Sequence, residues 1–176
     1  MKKTNGSGEN AAADEYEPLV QALHSKSAPE REEARGKLIA LGHAGLIPLL
    51  HCLNDSHEQV RWEAAKALEQ IADPAAAEAL AEAMDDESAG VRWTAGEALI
   101  RLGWEGAKQV LVSLLRKSDS TSLCTAAHHV LSHFVRHKDG EFLKPVLQRL
   151  EGPEPAVSVP LAALTALGHL RKSGPA

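Results

Sequence analysis

The chain is 176 residues long with a formal net charge of −5, and it is 44% hydrophobic but only 3% aromatic. That is one domain of ordinary size whose core must come from Ala, Leu, Val and Ile. The scarcity of aromatic and β-branched runs, against abundant Ala, Leu, Glu, Lys, Arg and Gln, excludes an all-β domain, and no apolar stretch approaches the roughly 18 residues that span a bilayer.

In chain order, residues 1–14 are rich in Gly, Asn, Ala and Ser and read as a disordered tail. Two lysines open it with no apolar segment behind them, so it does not read as a secretory signal, and a cytoplasmic location is expected. From there, segments with apolar residues at i, i+3 and i+4 alternate with breakers. Short first segments run over Pro18–Leu23, Leu46–Leu50, Ala77–Met84, Val110–Leu115 and Phe142–Leu150. Turn residues such as Ser27-Ala28-Pro29, Asn54-Asp55-Ser56, Asp85-Asp86, Ser118-Asp119-Ser120 and Glu151-Gly152-Pro153 separate the segments. Asp73 followed by Pro74 predicts an N-cap with proline at the first helical position, and Pro160 predicts a kink or a late start in the last segment.

The second segments carry an internal repeat. Val60-Arg61-Trp62-Glu63-Ala64-Ala65-Lys66-Ala67-Leu68 recurs as Val91-Arg92-Trp93-Thr94-Ala95-Gly96-Glu97-Ala98-Leu99, an offset of 31, and Asp55 maps onto Asp86. Stepping back about 30 reaches Arg31-Glu32-Glu33-Ala34; stepping forward 31 reaches Thr125-Ala126-Ala127; a degenerate last copy is Pro160–Gly168. The unit is a helical hairpin of about 30 residues, present five times, and since a lone hairpin cannot bury both faces, the copies must stack.

The pattern from Asp55 to Leu80, and again from Asp86, resembles the short HEAT repeats of the bacterial type also found in phycobilisome lyases. It covers the chain from about Tyr16, with Glu69 standing where the family has glycine. The resemblance implies an all-α solenoid, a right-handed superhelix of about five antiparallel hairpins at residues 15–42, 43–73, 74–103, 104–137 and 138–172. It further implies that second helices line the concave surface, and that Arg61 and Arg92, with Asp55 and Asp86, tie neighbouring repeats together.

The positions the repeat leaves free on those second helices are the candidate partner-binding residues. They are Trp62, Glu63, Lys66 and Gln70 in one copy, Trp93, Thr94, Glu97 and Arg101 in the next, and His128, beside Cys124, Thr125 and Ser132, in the fourth, with Glu32 and Glu33 ahead of them. Two tryptophans at equivalent positions either form an aromatic stripe of the kind enriched in binding hot spots or fold down as cover on the adjacent repeat.

His129, His133 and His137 stand at i, i+4 and i+8, a spacing at which imidazoles can share a transition metal. The offset of 31 places His129 under Ala98 and His133 under Leu102, positions that face the core, and no HExxH is formed. Cys52 and Cys124 have no CxxC partner and read as reduced thiols. Deoxyhypusine hydroxylase, a HEAT-like enzyme, carries several His-Glu pairs holding iron; here only His57-Glu58 occurs. HEAT-like DNA glycosylases have a strongly basic concave face, whereas Glu32, Glu33, Glu63 and Glu97 oppose phosphate contact here. With no P-loop, nucleophile elbow or dinucleotide fingerprint, the expectation is a noncatalytic scaffold that needs no cofactor and binds a protein partner. The alternatives are a lyase-like subunit or chaperone acting on a bilin or its apoprotein, and a metal-dependent enzyme built on the histidine stripe.

Overall fold

Ala, Leu and charged residues at helical spacing form ten α-helices, with no strand, among the residues described by the computed structural model, 16–173. The tail expected over residues 1–14 lies outside the described residues. The helices are α1 (residues 16–23), α2 (Ala28–Ala40), α3 (Leu46–Cys52), α4 (Glu58–Ile71), α5 (Ala77–Ala83), α6 (Ala89–Arg101), α7 (Trp104–Lys117), α8 (Thr121–Val135), α9 (Lys144–Leu150) and α10 (Pro155–Ser173). Tight 3₁₀ turns at Gly42–Gly45, Pro74–Ala76 and Lys138–Leu143 lead into α3, α5 and α9. Among the described residues, no helix is long and apolar enough to cross a membrane.

Local chemistry sets the boundaries. Ser88 and Ser120 cap α6 and α8, their hydroxyls accepting the Val91 and Leu123 amides, and Asp73 accepts the Ala75 amide at 2.9 Å in the turn before α5. Helices α2, α4 and α6 are each closed by a residue of positive φ: Gly42 (φ 56°), Ala72 (φ 52°) and Gly103 (φ 65°). Alanine is strained there by its Cβ, at a cost of about 1–2 kcal/mol. Ala72→Gly is therefore expected to stabilise the protein by about 1 kcal/mol once glycine's larger unfolded-state entropy is deducted, read as a higher urea midpoint with an unchanged slope.

Stacking makes the solenoid. Helices α2, α4, α6 and α8 pack in sequence as one row, while α5 and α7 pack together in the other. The buried core they share is built from Leu, Val, Ala, Met84 and the two cysteines Cys52 and Cys124, with Phe134 its single aromatic among the described residues. Partial exposure leaves Trp104 to gather Phe134 and Phe142 at ring distances of 5.1 and 5.8 Å, and Phe142 stacks on His169 at 4.4 Å, an aromatic seam joining the fourth and fifth hairpins.

The fifth hairpin breaks the alternation. Its first helix α9 lies on α8, and its second helix α10 lies on α7, so the two have exchanged rows. Nor does Pro160 delay α10, which runs through it from Pro155. A proline at position 160 deprives the Ala156 carbonyl of its helical donor; the Ser118 hydroxyl supplies a replacement at 3.2 Å. This contact also fastens the helix to the end of α7.

Candidate partner-binding groove

The register between second helices decides which side chains share a face. Buried residues of α4 and α6 match at an offset of 31 (Val60/Val91, Ala64/Ala95, Leu68/Leu99), whereas α6 and α8 match at 32 (Val91/Leu123, Ala95/Ala127, Leu99/Leu131). The offset of 31 expected for the fourth copy is therefore one residue short. Slid by one, His129 stands level with Glu97 and His133 with Arg101, not with the core residues Ala98 and Leu102. Both imidazoles are accordingly part-exposed, and His137 is exposed.

An arginine ladder runs along the edge of this face. Arg31, Arg61 and Arg92 each donate through Nη1 to the carbonyl six residues earlier: Ser25, Asp55 and Asp86, at 2.8, 2.9 and 2.8 Å. Arg61 also forks onto the next repeat, Nε to Asp86 Oδ2 at 2.7 Å and Nη2 to Asp86 Oδ1 at 3.0 Å, so the tie expected of Arg61 and Asp86 is made. Arg92 makes no such tie, because the position equivalent to Asp86 is Ser118; its hydrogen bonds are to the carbonyls of Asp86 and Glu87 in its own repeat. Cys124 occupies the arginine position of the fourth repeat, its thiol reaching the Ser118 carbonyl at 3.3 Å. The Asp55 carboxylate receives no arginine either, since Arg31 turns to Glu63 on α4.

Two candidate contact residues are removed from the open face by these bonds. Glu63 is 3% exposed; it accepts from Arg31 and Gln59 at 3.2 Å and from Arg35, locking α4 to α2. Thr94 is 8% exposed and returns its hydroxyl proton to the Gly90 carbonyl. Burial follows from their place in the stack, where the residue after each tryptophan meets the neighbouring helix.

The tryptophans lean the same way but end differently. Trp62 is half-buried, its Cδ1 3.7 Å from where a Cβ on Gly90 would stand, and the Lys66 ammonium lies 4.5 Å above its ring. Trp93 is 58% exposed. Its indole tilts onto the His129 ring at 4.3 Å, and His129 Nε2 meets Glu97 at 2.7 Å. Gln70 and Arg101 are exposed.

Between α6 and α8 these residues rim a groove of about 380 Å³, lined by Arg92, Trp93 and Gly96 on one side and Thr121, Ser122 and Thr125 on the other, with His129 at its end. Thr121 and Thr125 also line a second depression, of about 490 Å³, between α8 and the α9–α10 turn, where His128 meets Glu151 at 2.8 Å. The two depressions flank α8, share Thr121 and Thr125, and form the trough of this face. Of this lining, Thr125 and His128 stand at positions the repeat leaves free in the sequence, whereas Thr121 and Ser122 did not stand out there, and Arg92 read as a structural tie.

Chemically the trough offers a guanidinium, an aromatic face and hydroxyls. Burial pushes the Cys52 thiol up to about 11, with Asp55 and Glu17 adding to the shift, and burial likewise raises Cys124. Neither is a thiolate of the reactive kind at neutral pH. His129, His133 and His137 do not converge: among the described residues the grouping of three metal-ligating side chains is His24, Asp55 and His57, elsewhere in the fold.

A family profile described as HEAT repeats matches the chain over residues 16–91 and 46–132, overlapping windows that together cover more than half of it. A search of curated proteins returns no match. With five stacked hairpins, an arginine–aspartate tie between repeats and that match, the chain belongs to the HEAT-repeat family.

Proposed function

We propose that the chain is a noncatalytic interaction scaffold that docks a segment of a partner protein in the trough across α6 and α8. The observation that carries this is Trp93, an indole 58% exposed at the rim of a groove of about 380 Å³, in a chain whose aromatic content is 3%. A large rigid apolar surface beside a concavity is the commonest form of binding anchor. Arg92 sets the chemistry of what docks: its guanidinium has no carboxylate partner among the described residues, and the fork favours a carboxylate held by two parallel bonds. The segment is thus one in which an acidic residue neighbours a bulky apolar one. Trp62, Lys66, Gln70, Glu97 and Arg101 flank the anchor, and His128 lies in the adjoining depression.

Panning a displayed random-peptide library on the chain should enrich such acidic–apolar segments. Trp93→Ala should weaken them about 30-fold, the equivalent of a hot-spot loss of about 2 kcal/mol, while Arg92→Gln should abolish the acidic preference. Binders indifferent to Trp93→Ala overturn the reading. Affinity capture with wild type against the Trp62→Ala, Trp93→Ala double variant then identifies the natural partner.

A further inference from the structure

The turn before α4 places three donors together. His24 closes α1, Asp55 and His57 open α4, and one ligand atom from each lies within 4.8 Å of the other two. His24 Nε2 is 3.3 Å from Asp55 Oδ2, and His57 Nδ1 is 3.0 Å from Asp55 Oδ1. The imidazoles meet edge to face at 5.0 Å with their planes at 89° and are not stacked on each other. Donors held about 2.0–2.1 Å from a zinc ion in a tetrahedron stand about 3.3 Å apart, so little movement closes this set around an ion.

The next repeat shows what belongs in that slot. Asp86, equivalent to Asp55, has its carboxylate filled by the Arg61 guanidinium. The matching arginine one repeat earlier, Arg31, is drawn instead to Glu63. The Asp55 carboxylate thus meets two imidazoles and, among the described residues, forms no ion pair with a lysine or arginine. At the Asp86 junction a guanidinium meets the aspartate; at the Asp55 junction two imidazoles stand in its place.

We propose that His24, Asp55 and His57 form a binding site for a zinc-class divalent transition-metal ion that fastens the first hairpin to the second. Two nitrogens and one oxygen suit zinc and its neighbours and not calcium or magnesium, which take oxygen ligands. His57 is 69% exposed in its side chain, so the site opens to solvent, and a fourth position is left to water. The ion does at this junction what the Arg61 fork does at the following one.

The test is isothermal titration of the tag-free, chelator-treated chain with Zn²⁺, and separately with Co²⁺ as an absorbing probe. One ion per chain is expected, with the visible band of four-coordinate cobalt. His24→Gln and His57→Gln should each weaken binding about 100-fold or more, since even an outer-shell partner of a ligand is worth 10–100-fold. Circular dichroism checks that these surface changes leave the helices intact. Binding must survive His43→Gln, which removes an isolated His–Asp pair, and the His129→Gln, His133→Gln double variant. Added Zn²⁺ should also slow amide exchange in α1 and α2 while leaving α7–α10 unchanged. Failure to retain an ion at submillimolar metal, or retention equal in the His24 and His57 variants, overturns the proposal.

Discussion

Arg61→Ala is expected to cost about 3 kcal/mol and to uncouple the first two hairpins from the rest. The guanidinium has five N–H donors, and it makes five hydrogen bonds: two to Asp86, one to Glu87, and one each to the carbonyls of Asp55 and Ser56. Its side chain is 8% exposed and that of Asp86 10%. Truncating one member of a buried pair strands the other and costs about 3–5 kcal/mol. The lower end applies, because Asp86 keeps the Ser88 amide at 2.8 Å and Glu87 reaches solvent. Location matters more than size. These bonds cross from α4 to the turn before α6, and the stability of a solenoid is a sum of repeat terms and nearest-neighbour interfaces. Weakening one interface should lower the urea midpoint and flatten or split the transition, with amide exchange accelerating in α1–α4 before α7–α10. Arg61→Lys should recover little, since an ammonium cannot fork onto a carboxylate while serving two carbonyls. A single transition of unchanged slope would show that apolar stacking alone holds the junction.

The same residues explain how far the sequence could be read. Val60-Arg61-Trp62 and Val91-Arg92-Trp93 announce the hairpin, its period and its core face, because those positions are set by local helical geometry. Register was lost where the motif fades: α8 has Leu123-Cys124-Thr125 in place of Val-Arg-Trp, and one extra residue ahead of it moves His129 and His133 out of the core. The clue was present in Leu123, Ala127 and Leu131, which keep the i, i+4, i+8 core spacing only at an offset of 32. Glu63 read as an open charge because its partners, Arg31 and Arg35, lie a whole repeat away and meet it only on stacking. The cluster of His24 with Asp55 and His57 was hidden for the same reason. The exchange of rows by α9 and α10 had no local signature either. Helix α10 carries apolar residues on two faces, Val159, Ala163 and Ala166 buried and Val157, Leu161 and Leu164 exposed, so periodicity could not say which side would face α7.

Gly106→Ala and Gly36→Ala should move stability in opposite directions, although both glycines lie within helices. Replacing glycine by alanine in a helix interior ordinarily gains about 0.5–1 kcal/mol. Gly36, on α2, has nothing within 4 Å of its absent Cβ, so that gain should be realised in full. At Gly106 the Cβ would stand 1.9 Å from the Leu99 carbonyl oxygen, 2.7 Å from its carbon and 3.0 Å from its Cα. All three atoms are backbone of α6, which cannot swing aside as a side chain tip would. The glycine is the point where the first turn of α7 rests against the end of α6. To admit a methyl group α7 must retreat, and it carries Ala107, Val110, Leu111 and Leu114, all wholly buried, against α5, α8 and α10. Overpacking a well-filled core costs about 1–3 kcal/mol where side chains can adjust. A backbone obstruction that shifts a central helix belongs at or above the top of that range, so the net loss at Gly106 is expected to be about 3 kcal/mol. Urea unfolding of the two single variants beside wild type measures both. A midpoint for Gly106→Ala at or above that of wild type would mean that α7 slides freely over α6, and with it that the fourth hairpin is held by its contacts with α10 and not by its seat on the third.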